Sequence, residues 1–146
     1  MRKLHDADVR SSLEARLATL RPDSPRKWGK MSPDQMLWHV NQFMAASLGE
    51  VELPHGKMPL PDAVMQFMLI YLPWPKSAPT NPAAEAKDHY DFEGERARCR
   101  GLISRVVAKP IDSPWPVNAN FGKVTGLFVS RLQARHLDHH FKQFGA

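Results

Sequence analysis

The sequence predicts an all-α protein, a four-helix bundle with a long crossover between its second and third helices. Apolar residues recur at intervals of three and four along four long stretches, and each stretch carries a start or stop signal for a helix. No stretch alternates polar and apolar residues as a half-buried strand does. The length of 146 residues fits one domain, which we expect to span residues 1–146.

The first two helices have clear local signals. The first is predicted over about 6–20, where apolar residues repeat at helical spacing before a proline-rich break. The second is predicted over about 33–48, because Ser32 is a natural N-cap and Pro33 suits the first helical position. Gln35 completes a capping box with Ser32.

A long proline-rich connection follows the second helix, over about 49–90. A segment of this length without structure is unusual in a compact domain, so we predict a short helix within it at about 62–72. The apolar run at 63–74 is far shorter than the roughly 20 residues that span a bilayer. It would suit contact with a second copy of the chain, so a homodimer is one expected partnership.

The last two helices complete the predicted bundle. The third should run over about 91–108, with Asp91 as its cap and Pro110 beyond its end. The fourth should run from 124 or 125 to 143. Cys99 lies on the apolar face of the third helix, which makes it a poor candidate nucleophile.

Composition and charge narrow the class of protein. A chain with 42% hydrophobic and 24% charged residues is typical of a soluble globular protein. The formal net charge of +5 permits an anionic partner without demanding one. We interpret the densest basic cluster as a solvated helix face and expect no nucleic-acid partner. This cluster consists of Arg96, Arg98, Arg100 and Arg105.

The start of the chain is polar and charged and has no apolar core of a signal peptide. We therefore expect a cytoplasmic protein with no membrane partner. The single cysteine excludes an intramolecular disulfide and a cysteine-rich zinc site, whereas seven histidines are available. Any bound metal ion must be held by imidazole and carboxylate groups.

The histidines of the fourth helix carry the strongest chemical signal. His136 and His140 lie one turn apart on the apolar face, so their Cβ atoms are about 5–6 Å apart. Two imidazoles at this spacing can converge on one divalent ion. His39 lies at the margin of the apolar face of the second helix and could supply a third ligand. The alternative is that these are ordinary histidines bonded to carbonyl groups and water.

Charged residues form a separate stripe on the fourth helix, which we expect to face water. It consists of Arg131, Arg135, Asp138 and Lys142. Asp138 should form an ion pair with Lys142 or Arg135 rather than bind a metal.

Two glutamines lie close to the candidate ligands in sequence. Gln35 and Gln143 could each hold a histidine ring in place. The alternative is helix capping for Gln35 and an ordinary helix end for Gln143. The histidines to which we assign no role are His5, His55 and His89.

Two stretches carry a resemblance to a known family. The first, over 20–39, reads LRPDSPRKWGKMSPDQMLWH; the second joins FGKVTG at 121–126 to RHLDHHFKQFG at 135–145. In these stretches the chain resembles the DinB-like superfamily and, more narrowly, one of its uncharacterised subfamilies.

The resemblance implies a four-helix bundle with one histidine on the second helix and a His-x-x-x-His pair on the fourth. Residue by residue, His39, His136 and His140 fall on these ligand positions. The implied cofactor is a divalent ion, nickel or zinc. Some members transfer a low-molecular-weight thiol to an electrophilic small molecule, and this is the expected activity. The alternative is a non-enzymatic stress-associated or interaction bundle with a structural metal or an empty histidine site.

Overall fold

The chain is all-helical throughout the residues that the structure, a computed structural model, describes, namely 2–53, 59–76 and 81–146. The predicted all-α class is therefore confirmed. Every predicted helix boundary lies within two residues of the observed one. The helices are α1 (Ala7–Thr19), α2 (Pro33–Ser47), α3 (Asp62–Tyr71), a 3-10 helix (Pro82–Ala84), α4 (Phe92–Ala108) and α5 (Gly126–Gln143).

The helix starts follow from local hydrogen bonds. The backbone N–H of Ser32 donates to Gln35 Oε1 at 3.0 Å, as the capping box predicts. The side chains of Asp91 and Thr125 cap α4 and α5 by accepting from the N–H three residues ahead. These caps satisfy backbone donors that have no partner within their helix.

Four helices pack against one another in a closed order. The contacts run from α1 to α4, from α4 to α2, from α2 to α5 and from α5 back to α1. Two further elements join this arrangement, since α3 lies against α5 and the 3-10 helix lies against α2. Because α2 and α5 are in direct contact, the inward faces that carry the candidate histidines lie opposite each other.

Arg96 corrects the expectation that the basic cluster of α4 is a solvated face. Its side chain is only 11% exposed. Its guanidinium donates to the carbonyl oxygens of Leu17, Ala18 and Leu20 at 2.7–3.2 Å. It thus satisfies the acceptors at the C-terminal end of α1, which a sequence pattern within α4 cannot reveal.

The charged stripe of α5 also differs from expectation. Arg131, Arg135 and Asp138 are only partly exposed, because α1 and α3 lie against α5. Asp138 binds Lys142 at 2.9 Å, as predicted, and its second partner is Arg16 of α1 at 2.8 Å rather than Arg135.

Helix α3 carries more exposed large apolar side chains than any other described helix. Four large apolar side chains in α3 or directly after it are exposed: Val64, Phe67, Tyr71 and Leu72. Contact with a second copy through this segment stays a prediction. None of the described helices is long and apolar enough to cross a membrane.

Candidate metal centre

The three histidines singled out from the sequence meet between α2 and α5. One ring nitrogen of each of His39, His136 and His140 lies within 4.8 Å of the other two. The rings are 3%, 8% and 9% exposed. The Nε2 atoms of His39 and His136 are 3.1 Å apart. Two nitrogen ligands at 2.0–2.1 Å from one tetrahedral ion lie about 3.3 Å apart, so this spacing suits a shared metal.

Aromatic packing fixes the ring planes. The ring of Phe43, one turn after His39 on α2, meets His39 edge-on at 5.1 Å and His136 at 5.0 Å between centroids. His136 and His140 are neighbours on one face of α5, with their ring centroids 4.8 Å apart. The helical spacing thus brings the two α5 rings together, and helix packing brings the third.

His39 is held from the side away from the cluster. Its Nδ1–H donates to the carbonyl oxygen of Ala84 in the 3-10 helix at 2.9 Å. Because a carbonyl oxygen only accepts, the proton of neutral His39 is on Nδ1. The lone pair is therefore on Nε2, which faces His136.

His140 is held in the same way by a side chain. Its Nδ1–H donates to Gln143 Oε1 at 2.9 Å. The orientation of this amide is fixed, because Gln143 Nε2 donates to the carbonyl of Trp28 at 2.9 Å. Gly29, at φ +81°, leaves room for the amide, since a Cβ there would lie 2.4 Å from Gln143 Nε2. Gln143 is therefore a partner of a candidate ligand, whereas Gln35 is a capping residue.

The three imidazoles are neutral at pH 7, because the pKa of each is lowered. Burial and, to a smaller extent, the neighbouring His39 together lower the pKa of His140 to about 3. The pKa of His136 is well below its ordinary value because the ring is buried beside two other imidazoles. Burial also lowers the pKa of His39, against the opposing effect of its bond to Ala84. Neutral rings keep the lone pairs that bind a metal at pH 7.

The residues therefore fit a divalent ion. Metal-binding histidines usually donate their second ring N–H to a carbonyl or carboxylate, and His39 and His140 each donate Nδ1–H to an oxygen. Imidazole donors suit zinc and nickel. Three protein ligands leave at least one coordination position for another molecule. Without an ion, His136 Nε2–H can donate to His39 Nε2, which pairs these two nitrogens with each other.

A small cleft of about 190 Å³ adjoins the cluster. Trp74 forms the boundary between them, because its ring is 5.9 Å from His136 and 5.4 Å from His139. Arg135 lies over the outer part of Trp74, with its guanidinium carbon 5.0 Å from the ring centroid. The cleft is lined by Trp28, Trp74, Arg135, Asp138, His139 and Lys142.

Sequence reasoning missed the two tryptophans and His139. Trp28 and Trp74 lie in connections without helical periodicity, so their positions depend on tertiary packing. The signal that could have pointed to them is a single tryptophan in each of two connections, Trp28 beside Gly29 and Trp74 between two prolines.

The remaining histidines take no part in the cluster. His5 bonds to Ser130 Oγ and to the Lys109 carbonyl, both at 2.8 Å. His89 bonds to Asp34 at the surface, and His55 lies outside the described residues. Cys99 is fully buried, and burial raises the pKa of its thiol to about 12, which keeps it protonated and unreactive.

Comparisons with known proteins give no match: no family model, no curated protein and no solved structure matches this chain. The centre is therefore interpreted from its own residues.

Proposed function

We propose that this chain is a divalent-metal-dependent enzyme of the DinB-like type, which transfers a low-molecular-weight thiol to an electrophilic small molecule. The proposal includes a four-helix bundle formed by α1, α2, α4 and α5, with α3 in the crossover. The observation that carries it is the buried cluster of His39, His136 and His140 with its nitrogens within 4.8 Å of one another.

The chain's own residues would hold the ion from two helices. Nε2 of His39 and Nε2 of His136 are 3.1 Å apart, and the outer nitrogens of His39 and His140 are tied to oxygen acceptors. This arrangement favours nickel or zinc over calcium or magnesium, which prefer oxygen ligands. When bound, the ion would lower the pKa of a water or thiol in its open position and so supply a nucleophile at neutral pH.

The cleft beside the cluster supports a small-molecule substrate. Trp74 packs against His136 and Arg135 packs on Trp74, so a molecule in the cleft lies beside positive charge and is separated from His136 by the Trp74 ring. The volume of the cleft, about 190 Å³, is below the roughly 300–1,000 Å³ of pockets for drug-sized ligands, so it would admit only a small electrophile or part of a larger one. The thiol must come from solution, because the chain's single cysteine is buried and protonated.

A second candidate function is a non-enzymatic bundle with a structural ion or an empty site. The observation that favours it is the low exposure of the rings, 3% for His39 and 9% at most among the three. The bond between His39 Nε2 and His136 Nε2 also pairs these two nitrogens without an ion.

Metal analysis of the purified protein tests the proposal. We expect close to one divalent ion per chain in the wild type and loss of this ion in the variant His39→Ala, His136→Ala, His140→Ala. The matched control is His89→Ala, which removes an exposed histidine outside the cluster and should retain the ion. Substoichiometric metal in the wild type after growth with zinc and nickel would rule out the metalloenzyme.

A thiol-conjugation screen separates the enzyme from the structural site. Metal-loaded wild-type protein, mixed with a low-molecular-weight thiol and a panel of electrophiles, should form conjugate faster than the metal-free protein. A bound ion without any metal-dependent conjugation would favour the structural bundle.

A further inference from the structure

A larger cavity, about 370 Å³, is lined by residues of α1, α3 and α5 and shares Arg135, Asp138 and Lys142 with the cleft. The proposed metal chemistry makes no use of it. We propose that this groove is a binding site for a small amphiphilic carboxylate, an alkyl chain ending in one anionic group. The proposal stands independently of any metal at the histidine cluster.

The floor of the groove is apolar. Val9 and Leu13 of α1, Ile70 of α3 and Ala134 of α5 line it, and each is at most 7% exposed. The volume is near the lower end of the roughly 300–1,000 Å³ range of small-molecule pockets. Transfer of an alkyl chain of moderate length from water to this apolar floor is favourable, because it buries apolar surface.

The rim of the groove is strongly cationic. Five basic side chains line it against one carboxylate, Asp138, which is already shared by Arg16 and Lys142. The other three basic residues of the rim are Arg2, Arg131 and Arg135. An excess of positive charge around an apolar floor is complementary to a molecule with an anionic head and an apolar tail.

On the rim, Arg131 has a hydrogen-bond donor that lacks an acceptor: its Nε is buried and has no hydrogen-bond partner among the described residues. Arg135, one turn further on, is by contrast bonded to the carbonyl oxygens of Leu69 and Leu72. A buried N–H without an acceptor is costly even where the rest of the side chain is partly exposed, as it is in Arg131. A carboxylate can accept side-on from Nε and one Nη of a guanidinium, so it would remove this cost with one group.

Calorimetric titration of the full chain with sodium decanoate tests the site. The protein is first treated with a chelator, so that the carboxylate cannot bind an ion at the histidine cluster. Binding should tighten by roughly tenfold for each two methylenes added between hexanoate and decanoate. Decanol, which has the chain without the charge, should bind at least about tenfold more weakly than decanoate.

Variants locate the binding in the groove. Arg131→Met removes the guanidinium with little change in volume and should weaken decanoate binding at least about tenfold. Arg100→Met is the matched control on the exposed face of α4 and should leave binding unchanged. Arg2→Gln, at the exposed edge of the rim, gives a second variant if Arg131→Met fails to fold. Equal affinity for decanol and decanoate, or equal decanoate affinity in wild type and both groove variants, would overturn the proposal.

Discussion

Gln143 joins two parts of the chain through one amide group. Its Oε1 accepts from His140 and its Nε2 donates to the carbonyl of Trp28, so the last turn of α5 is tied to the loop before α2. Because this bond orients a candidate ligand, Gln143 has consequences for both stability and metal affinity.

Replacement of this amide should affect both properties. We expect Gln143→Ala to lower metal affinity about 10–100-fold and the free energy of unfolding by about 1–2 kcal/mol. The first is measured by competition with a chromophoric chelator and the second by urea unfolding. Gln35→Ala is the control, since it weakens a helix cap without touching the cluster. Equal metal affinity in the two variants would contradict the role of Gln143.

The identity of the three candidate ligands could be predicted at the residue scale, because their spacing and their positions on apolar faces are local properties of the sequence. Two of the groups that orient them could not. Ala84 and Trp28 act through backbone carbonyl oxygens, which every residue carries. Only the folded chain decides which carbonyl meets which ring.

At the scale of single elements, two helical glycines differ in what surrounds them. Gly126 begins α5 against the loop that precedes it, where a Cβ would lie 2.1 Å from the carbonyl oxygen of Ile111 and 2.4 Å from Trp115 Nε1. Gly101 lies within α4, where a Cβ would meet only the end of the flexible Arg105 side chain at 3.3 Å. The first glycine permits close packing, whereas the second costs helix stability.

Alanine substitution should therefore change stability in opposite directions. We expect Gly101→Ala to raise the free energy of unfolding by about 0.5–1 kcal/mol, because alanine is the better helix former. Gly126→Ala should lower it by about 1–3 kcal/mol, because the helix must move away from the loop. Urea unfolding of both variants beside the wild type measures the difference. A stabilised Gly126→Ala would show that this loop can yield.

The helices could be predicted well because their signals are local. Ser32, Asp91 and Thr125 are capping residues by type, and apolar periodicity marks the segments between the caps. The contacts of Arg96 and Arg135 could not be predicted, because each donates to carbonyl groups of another part of the chain. Side chains that connect elements depend on packing that no single segment encodes.

At the scale of the whole molecule, the neutral histidines couple folding to pH. Their pKa values are lowered in the folded chain, so the unfolded chain takes up protons first as the pH falls. The histidines' contribution to the free energy of unfolding is complete when the pH is above about 6.5, the pKa of a histidine in the unfolded chain. It is lost progressively as the pH falls below this value. Each histidine that stays neutral costs up to about 1.4 kcal/mol per pH unit in that range.

The metal-free protein should consequently unfold more easily in mild acid. We expect its free energy of unfolding to fall by a few kcal/mol between pH 7.5 and 5.5, with about 1 kcal/mol each from His136 and His140, whose pKa values are lowered most. Urea unfolding in the presence of a chelator measures this. The variant His39→Ala, His136→Ala, His140→Ala should lose most of the pH dependence. An identical pH dependence in the two proteins would show that other groups are responsible.

The contact between His39 and His136 joins positions 97 residues apart. A contact of such sequence separation depends on the packing of α2 against α5 and on no local segment. An ion bound by both rings would link two parts of the polypeptide separated by nearly two thirds of its length. Because the site exists only in the folded chain, the ion would stabilise that state through its binding free energy, whereas a disulfide acts mainly by restricting the unfolded chain. Unlike a disulfide, this metal-mediated link could be removed by a chelator and would need no oxidant to form.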